Sequence, residues 1–505
     1  MLRLRLPLAF SALWISCAAL AQSPVPQFDA HTRQGLPGDT DPTFKLAAAD
    51  VNGDGVPDVI CANMGGTPPG TQNTLFLNDG RGSFTNVSQT HLPQRLDWSG
   101  SVSVADVDGD GDNDIFFGNS SSTGSRLLLN DGTGKFQDAP GAQFPALPIS
   151  VNASAFVDID GDQDMDLIVR DHVLVNDGKG TFTDETTQRA GGNLSPWGMA
   201  VADVDGDNDM DVVMTPSSKG PVLWLNDGTG RFTDMSGQIT PPSGYMGRGQ
   251  IVLQDLTGDG APELVIANFF RQALLWVNDG KGKFTDDTNR RMPAYASNRA
   301  YSILGGDLDN DGDVDLVLCD GANTLPNQGN VNQIYLNDGK GFFTDATPTR
   351  ATQIKSATTS GAIADVDQDG DADLIFGNWD EANRIWQNRH RHVYASSAPK
   401  IGSTYTLEFY GQPGYANNPQ PVVSFGGFQP MPIKLELQPW GILGVDPTGL
   451  FFNPALNIPS PGGRSTLPIP IPNDPGFKGL KLYWQAIVVQ IPFQHFTNTF
   501  ADVIE

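Results

Sequence analysis

The sequence predicts an all-β chain: a seven-bladed β-propeller followed by a small β-sandwich domain. Three observations predict it. One acidic nine-residue loop is written seven times, at 50–58, 106–114, 158–166, 203–211, 255–263, 307–315 and 365–373. The loop starts lie 56, 52, 45, 52, 52 and 58 residues apart, the period of a ring of β units rather than of one continuous core. A Gly-rich hairpin of the form [LV]-N-D-G-x-G-x-F follows six of the loops, at 77–84, 129–136, 175–182, 225–232, 277–284 and 336–343.

The first 21 residues read as an export signal. Arg3 and Arg5 precede an apolar stretch from Leu6 to Leu20, and Ala19-Leu20-Ala21 offers a small-x-small cleavage site. The stretch is short for a membrane-spanning helix. Cys17 sits in a poor match to a lipoprotein cleavage box. The mature chain keeps Cys61 and Cys319, which fall in non-neighbouring repeats and read as small buried residues rather than a disulfide.

Residues 22–392 carry the repeats. In 98–138, WSGSVSVAD reads as a strand, DVDGDGDND as the loop, IFFGN as a second strand, RLLLN as a third, and KFQD opens a fourth after a hairpin turn. Four short antiparallel strands are the make-up of a propeller blade. Helical periodicity is absent. Phe84, Phe136, Phe182, Phe232, Phe284 and Phe343 are expected to pack between neighbouring blades. The last unit has RIWQN at 384–388 and no hairpin continuation, whereas Gln27-Phe28-Asp29 near the N-terminus looks like the strand that follows each hairpin. The N-terminal strand is therefore expected to complete the seventh blade and remove two open sheet edges.

The loops have the spacing of calcium sites. Calcium takes six to eight oxygens from carboxylates, carbonyls and water. Positions 1, 3, 5 and 9 are Asp50, Asn52, Asp54 and Asp58 in the first loop and Asp106, Asp108, Asp110 and Asp114 in the second. They are Asp158, Asp160, Asp162 and Asp166 in the third, and Asp203, Asp205, Asp207 and Asp211 in the fourth. The fifth has Asp255, Thr257, Asp259 and Glu263, the sixth Asp307, Asp309, Asp311 and Asp315, the seventh Asp365, Asp367, Asp369 and Asp373. Alternate spacing lets one tight turn aim carboxylates inward, and carboxylates so close repel one another without a cation. The fifth loop, with Thr257 and Glu263, is expected to bind most weakly. Gln163 and Asn208 stand where other loops have glycine.

These positions hold 26 carboxylates, nearly the whole net charge of −27. Acidity of this kind argues against nucleic acid as a partner. A site at about 0.1 mM affinity in about 1 mM calcium contributes roughly 1.4 kcal/mol, so bracing of the fold is the first role expected of the ions.

Residues 40–390 resemble the FG-GAP/VCBS repeats, similar to the propeller of integrin α chains, in the acidic form found in secreted bacterial proteins. The resemblance rests on the seven loops and six hairpins and implies that the loop positions are calcium ligands. It implies a module for adhesion or carbohydrate binding, or a part of a larger enzyme. The Phe-Gly and Gly-Ala-Pro landmarks of the repeat are mostly missing, so integrin-type ligand binding does not transfer.

Thirteen residues after each loop start stands Asn63, Asn119, Asp171, Pro216, Asn268, Asp320 or Asn378, a position expected either to cap a turn or to line a polar rim. Trp98, Trp197, Tyr301 and Trp379 lie near strand ends, where they could pack or stack on sugar rings. Residues 393–505 rise in Pro and Gly, lose the loops, and read as the β-sandwich, with Leu480, Leu482 and Trp484 alternating against Lys481, Tyr483 and Gln485. The expectation is a secreted or cell-surface calcium-binding monomer, non-enzymatic, whose partner is an extracellular glycan or surface protein. The alternative is a polysaccharide lyase or hydrolase on a propeller scaffold. Neither GxSxG nor HExxH occurs, and the His390/His392 pair lacks further zinc ligands.

Overall fold

The computed structural model describes residues 27–28, 36–37 and 41–388, apart from 66–69, 121, 148, 192–193, 218, 244, 270, 295–299, 310, 322–329, 352, 369 and 380, and the backbone of strands between 393 and 503. The export signal at 1–21, Asp29, Asp369, His390 and His392 lie outside the described residues, as do the side chains of the C-terminal domain. Two compact units separate, one built on Pro26–His392 and the other on Val393–Thr497.

The first unit is the propeller. Blade one consists of Thr43–Ala49, Asp58–Asn63, Thr74–Asn78 and Phe84–Asn86. Blade two is Ser99–Ala105, Asp114–Asn119, Arg126–Asn130 and Phe136–Asp138; blade three is Ser154–Val157, Asp166–Val169, His172–Asn176 and Phe182–Asp184. Blade four is Pro196–Ala202, Asp211–Pro216, Val222–Asn226 and Phe232–Asp234; blade five is Ile251–Gln254, Glu263–Ile266, Leu274–Asn278 and Phe284–Asp286. Blade six is Ala300–Gly306, Asp315–Asp320, Gln333–Asn337 and Phe343–Asp345, and blade seven is Thr358–Ala364, Asp373–Asn378 and Arg384–Trp386. Strands pair in chain order within each sheet. The first strand of each blade neighbours the first strand of the next, and that of blade seven returns to blade one.

The second strands are buried along their whole length, which is why they read as apolar runs rather than alternating ones. Among the described residues the propeller core forms seven clusters, each shared by two adjacent blades. Phe136, for example, packs with Val51 and Ile60 of blade one and Ile115 of its own blade. The six hairpin phenylalanines all pack this way, with Phe84 and Phe232 only partly buried.

Ring closure takes the expected route in reduced form. Phe28 is fully buried with Leu308, Phe376 and Trp386, between blades six and seven. Its N–H donates to the Arg350 carbonyl at 2.8 Å, and it makes a parallel bridge with Ala351. Phe284 makes the same bridge with Ile239, so Phe28 holds the place of a fourth-strand phenylalanine. Blade seven stays three-stranded among the described residues, and one bridge stands where a ladder was expected.

The β fold also carries short helical turns that no periodicity announces. Single helical turns follow the fourth strands, at Ser88–His91, Thr186–Arg189, Thr288–Arg291 and Thr347–Arg350, with a 3₁₀ turn at Ser236–Gln238. Four residues are too few to show a helical period. Each turn has a hydroxyl that accepts a third-strand N–H, as Thr288 Oγ1 does from Leu275 at 2.9 Å.

The first strands of blades one, two, four, six and seven break register at their starts, between Thr43 and Lys45, Ser99 and Ser101, Pro196 and Met199, Ala300 and Ser302, and Thr358 and Ser360. These irregularities place Phe44, Gly100, Trp197, Tyr301 and Thr359 out of the alternation. In the C-terminal unit, Val393–Ala395, Thr404–Tyr410 and Arg464–Pro470 form one sheet, and Gln420–Gly427 and Lys481–Val489 are the centre of another.

Candidate metal centres

Each acidic loop joins the first strand of a blade to the second, at the end of the ring opposite the register breaks. In loop two, Asp106 accepts the N–H groups of Gly109 at 2.8 Å and Gly111 at 2.9 Å, which curls the turn around its carboxylate. Asp110 accepts the Asp112 N–H at 3.0 Å. Asp114 is 1 % exposed and accepts from Val107 at 3.0 Å and from Asn130 at 2.8 Å. The same pattern recurs at Asp158 and Asp166, and at Asp203 and Asp211. Gln163 and Asn208 adopt the left-handed conformation expected of the glycines they replace, both at φ 73°.

Position 3 differs. The Oδ1 atoms of Asp108, Asp160, Asp205, Asp309 and Asp367 are buried without a hydrogen-bond partner. A buried carboxylate oxygen without a partner is costly. The same defect at one register in five loops is what a cation would repair. Carboxylate oxygens of positions 1, 3 and 9 lie within 4.8 Å of one another in loops two, three, four and seven; in loop six the trio is Asp307, Asp309 and Asp311. Asp110, Asp162 and Asp207 stand outside these trios, as does Asp315.

Loops one and five bring no such trio together among the described residues. In loop one, Asn52 donates its amide to Asp54 Oδ2 at 3.0 Å, so the loop satisfies itself. In loop five, Thr257 Oγ1 and Glu263 Oε1 are buried without partners, although Glu263 Oε2 accepts from Leu256 at 2.8 Å.

Burial pushes Asp114, Asp166, Asp211, Asp315 and Glu263 up to about 7, and Asp58 to about 6, against the pull of their backbone donors. Burial, then the neighbouring carboxylates, raises Asp108 and Asp205. Asp160 and Asp309 are raised too, but each meets an arginine: Arg189 at 3.1 Å and Arg350 at 3.3 Å. The donor set fits a hard divalent cation such as calcium in loops two, three, four, six and seven.

Two features escaped the sequence reading. The hairpin asparagines Asn78, Asn130, Asn176, Asn226, Asn278 and Asn337, and Asn388 in blade seven, each donate Nδ2 to the position-2 carbonyl of the preceding blade's loop, at 2.7–2.9 Å. Asn78 reaches Val366 of blade seven, so the chain of staples closes the ring. The signal was present in the recurring Asn of each hairpin and in Gln387-Asn388. The arginines were also legible, as T-x-x-R at 186–189, 288–291 and 347–350.

The recurring polar position at the opposite end caps turns. Asn63 donates to the Gln72 carbonyl at 2.9 Å, Asn119 to Gly124 at 2.8 Å and Asn378 to Ala382 at 2.7 Å, all fully buried. Trp197 and Trp379 meet Phe44, at 6.2 and 6.4 Å between ring centroids, while Tyr301 packs on Phe269 at 4.4 Å. Cys61 and Cys319 are buried and not joined in a disulfide.

A ring of seven units, six of four strands and one of three among the described residues, with an acidic loop between the first and second strand of each, defines a repeat propeller, and the comparisons agree. The FG-GAP-like repeat model matches residues 50–117, 106–169, 170–214, 203–266, 255–318 and 322–376. The chain belongs to the FG-GAP-like repeat family. It is 24% identical over 404 residues to cartilage acidic protein 1 of Xenopus tropicalis, covering 71% of this chain and 61% of that protein. The Mus musculus protein of the same name is 23% identical over 408 residues, 71% and 62% covered. The chain thus spans less than two thirds of these relatives' length. Among solved structures, the Dos1 propeller aligns at a TM-score of 0.38 with 10% identity, covering 69% of this chain and 78% of that one. A glycoside hydrolase family 43 arabinoxylan arabinofuranohydrolase from Bacillus subtilis aligns at 0.28 with 10% identity, covering 81% and 96%. Likeness at these scores carries nothing about activity. Among the described residues no helix is long and apolar enough to cross a membrane.

Proposed function

We propose that this protein is an exported, calcium-braced propeller that serves as a non-enzymatic binding module for extracellular glycans or surface proteins. The observation that carries the calcium reading is the unpartnered, buried position-3 oxygen of Asp108, Asp160, Asp205, Asp309 and Asp367. When bound, calcium would neutralise the facing carboxylates. Positions 1, 3 and 9 would hold it in four loops, and Asp307, Asp309 and Asp311 in loop six. The position-9 carboxylate bonds to its own blade's hairpin asparagine N–H, and that asparagine's amide reaches the preceding blade. A locked loop therefore stiffens two blades at once.

Export is supported by the basic and apolar leader at 1–21, and by the millimolar calcium of extracellular fluids that sites of this kind need. The named relatives are acidic proteins of cartilage, and this chain is acidic as well. The C-terminal strands are proposed to pack as a sandwich on their own.

The test has two arms. Adding calcium to chelated protein should raise the Tm by several degrees, and an unchanged Tm ends the bracing role. Calcium-loaded protein should retain members of a glycan or surface-protein panel without altering them. Turnover of a polysaccharide would replace the binding reading with the enzymatic one.

A further inference from the structure

At the end of the ring opposite the acidic loops lies a small pocket of about 30 Å³, room for one or two waters. That is far below the range for enclosed small-molecule sites, about 300–1,000 Å³, so a ligand would lie across the mouth against the lining side chains rather than inside. Its walls come from four of the seven blades and the segment that enters blade five: Phe44 and Lys45 from blade one, Trp197 from blade four, Arg248 before blade five, Tyr301 from blade six and Thr359 from blade seven.

Four of these, Phe44, Trp197, Tyr301 and Thr359, are residues that the first-strand register breaks take out of alternation. Such irregularities re-aim side chains and cluster beside functional sites. Phe44 and Trp197 meet edge to face; Phe44 is buried and Trp197 half-buried, so the aromatic surface at the mouth is that of Trp197.

The charge of the lining is the reverse of the molecule's. The chain has 58 acidic and 31 basic residues, yet this pocket holds Lys45 and Arg248 and no acid among its described lining residues. The Arg248 guanidinium is exposed and lies 5.1 Å from the Trp197 ring centroid, with no carboxylate paired to it among the described residues. Lys45 Nζ is 5.6 Å from the Phe44 centroid and likewise has no ion pair there. Burial pushes the Lys45 ammonium down to about 7, against the opposing influence of the Cys319 thiol, and an anion would offset that desolvation.

We propose that the mouth of the pocket binds a ring with an apolar face that carries a carboxylate, the ring lying against Trp197 and the carboxylate meeting Arg248. Uronate residues of a glycan and free aromatic acids share this chemistry. The proposal rests on the reading of the protein as a binding module and deepens it.

The experiment uses the full calcium-loaded chain, titrated calorimetrically with galacturonate, galactose and benzoate, on wild type, Arg248→Gln and Trp197→Ala. Galacturonate should bind saturably, with galactose weaker by about tenfold or more, the margin a charge-assisted hydrogen bond carries. Arg248→Gln, at an exposed position, should close that gap, and Trp197→Ala should weaken both. Benzoate binding as tightly as galacturonate would assign the site to aromatic acids; weaker binding would assign it to uronates. The proposal is overturned if neither acid binds, if galactose matches galacturonate, or if Arg248→Gln changes nothing. A neutral glycan retained equally by both variants would overturn the pocket and leave the binding module standing. Turnover of the bound acid would overturn the module reading and leave the pocket.

Discussion

Asp108 and Asn52 occupy the same register and show what position 3 does. The Asn52 amide bonds Asp54, whereas Asp108 Oδ1 is buried without a partner. Asp108→Asn should therefore change sign with calcium. In chelator it should leave stability unchanged or raise it, because like-charge repulsion falls. In about 1 mM calcium it should lose roughly 1.4 kcal/mol, the contribution of one site. Thermal melts of both proteins with and without calcium check this. Gln163, at φ 73°, offers a second residue-scale test. Gln163→Gly keeps the N–H that reaches Asp158 and removes left-handed strain of about 1–2 kcal/mol, less the backbone entropy glycine adds. A gain of about 0.5–1 kcal/mol in urea denaturation is expected. Loop chemistry was legible in the sequence because ligand spacing is local. The T-x-x-R pattern was visible too, but the contacts of Arg189 with Asp160 and Arg350 with Asp309 were not, because the one-turn helices some 30–40 residues on are placed by tertiary packing.

At the scale of the element, the hairpin asparagine is the joint between blades. Asn226 is 6 % exposed, and its amide reaches the Ile159 carbonyl at 2.7 Å. Asn226→Ala leaves that carbonyl unsatisfied and should cost about 1–3 kcal/mol, read by denaturant unfolding, with calcium binding to loop three loosened as well. The sequence showed this asparagine six times within its hairpin motif, but a hairpin residue reads first as a turn former. Its reach to the neighbouring blade depends on how sheets pack around the ring. The register breaks were invisible for a similar reason. Phe44, Trp197 and Tyr301 sit in strand-like sequence, and only the pairing shows that they leave the alternation.

Across the whole molecule, the blade count and order were legible because each blade repeats one pattern, and each cluster of the core needs two blades to exist. Closure was legible in outline, through Gln27-Phe28, but its single bridge was not. The buried position-9 carboxylates give the ring a pH signature. In calcium-free protein, folded values near 7 lie above the unfolded carboxylate range, so the proton stabilises the fold. These groups take stability away as pH rises from about 4 to 7. Calcium favours the ionised form and turns the slope around. Melting temperature should fall from pH 5 to 7 in chelator and rise over the same interval with calcium present. Parallel slopes in the two conditions would show that these groups do not sense the ion.

The central claim is that divalent calcium sits against the position-3 carboxylates and braces the ring. Anomalous diffraction from crystals grown in calcium tests it most directly. The account predicts anomalous peaks beside Asp108, Asp160, Asp205, Asp309 and Asp367, with those at Asp160 and Asp309 weaker because an arginine shares each carboxylate. Loops empty at saturating calcium, with their carboxylates turned to solvent or protonated, would contradict it.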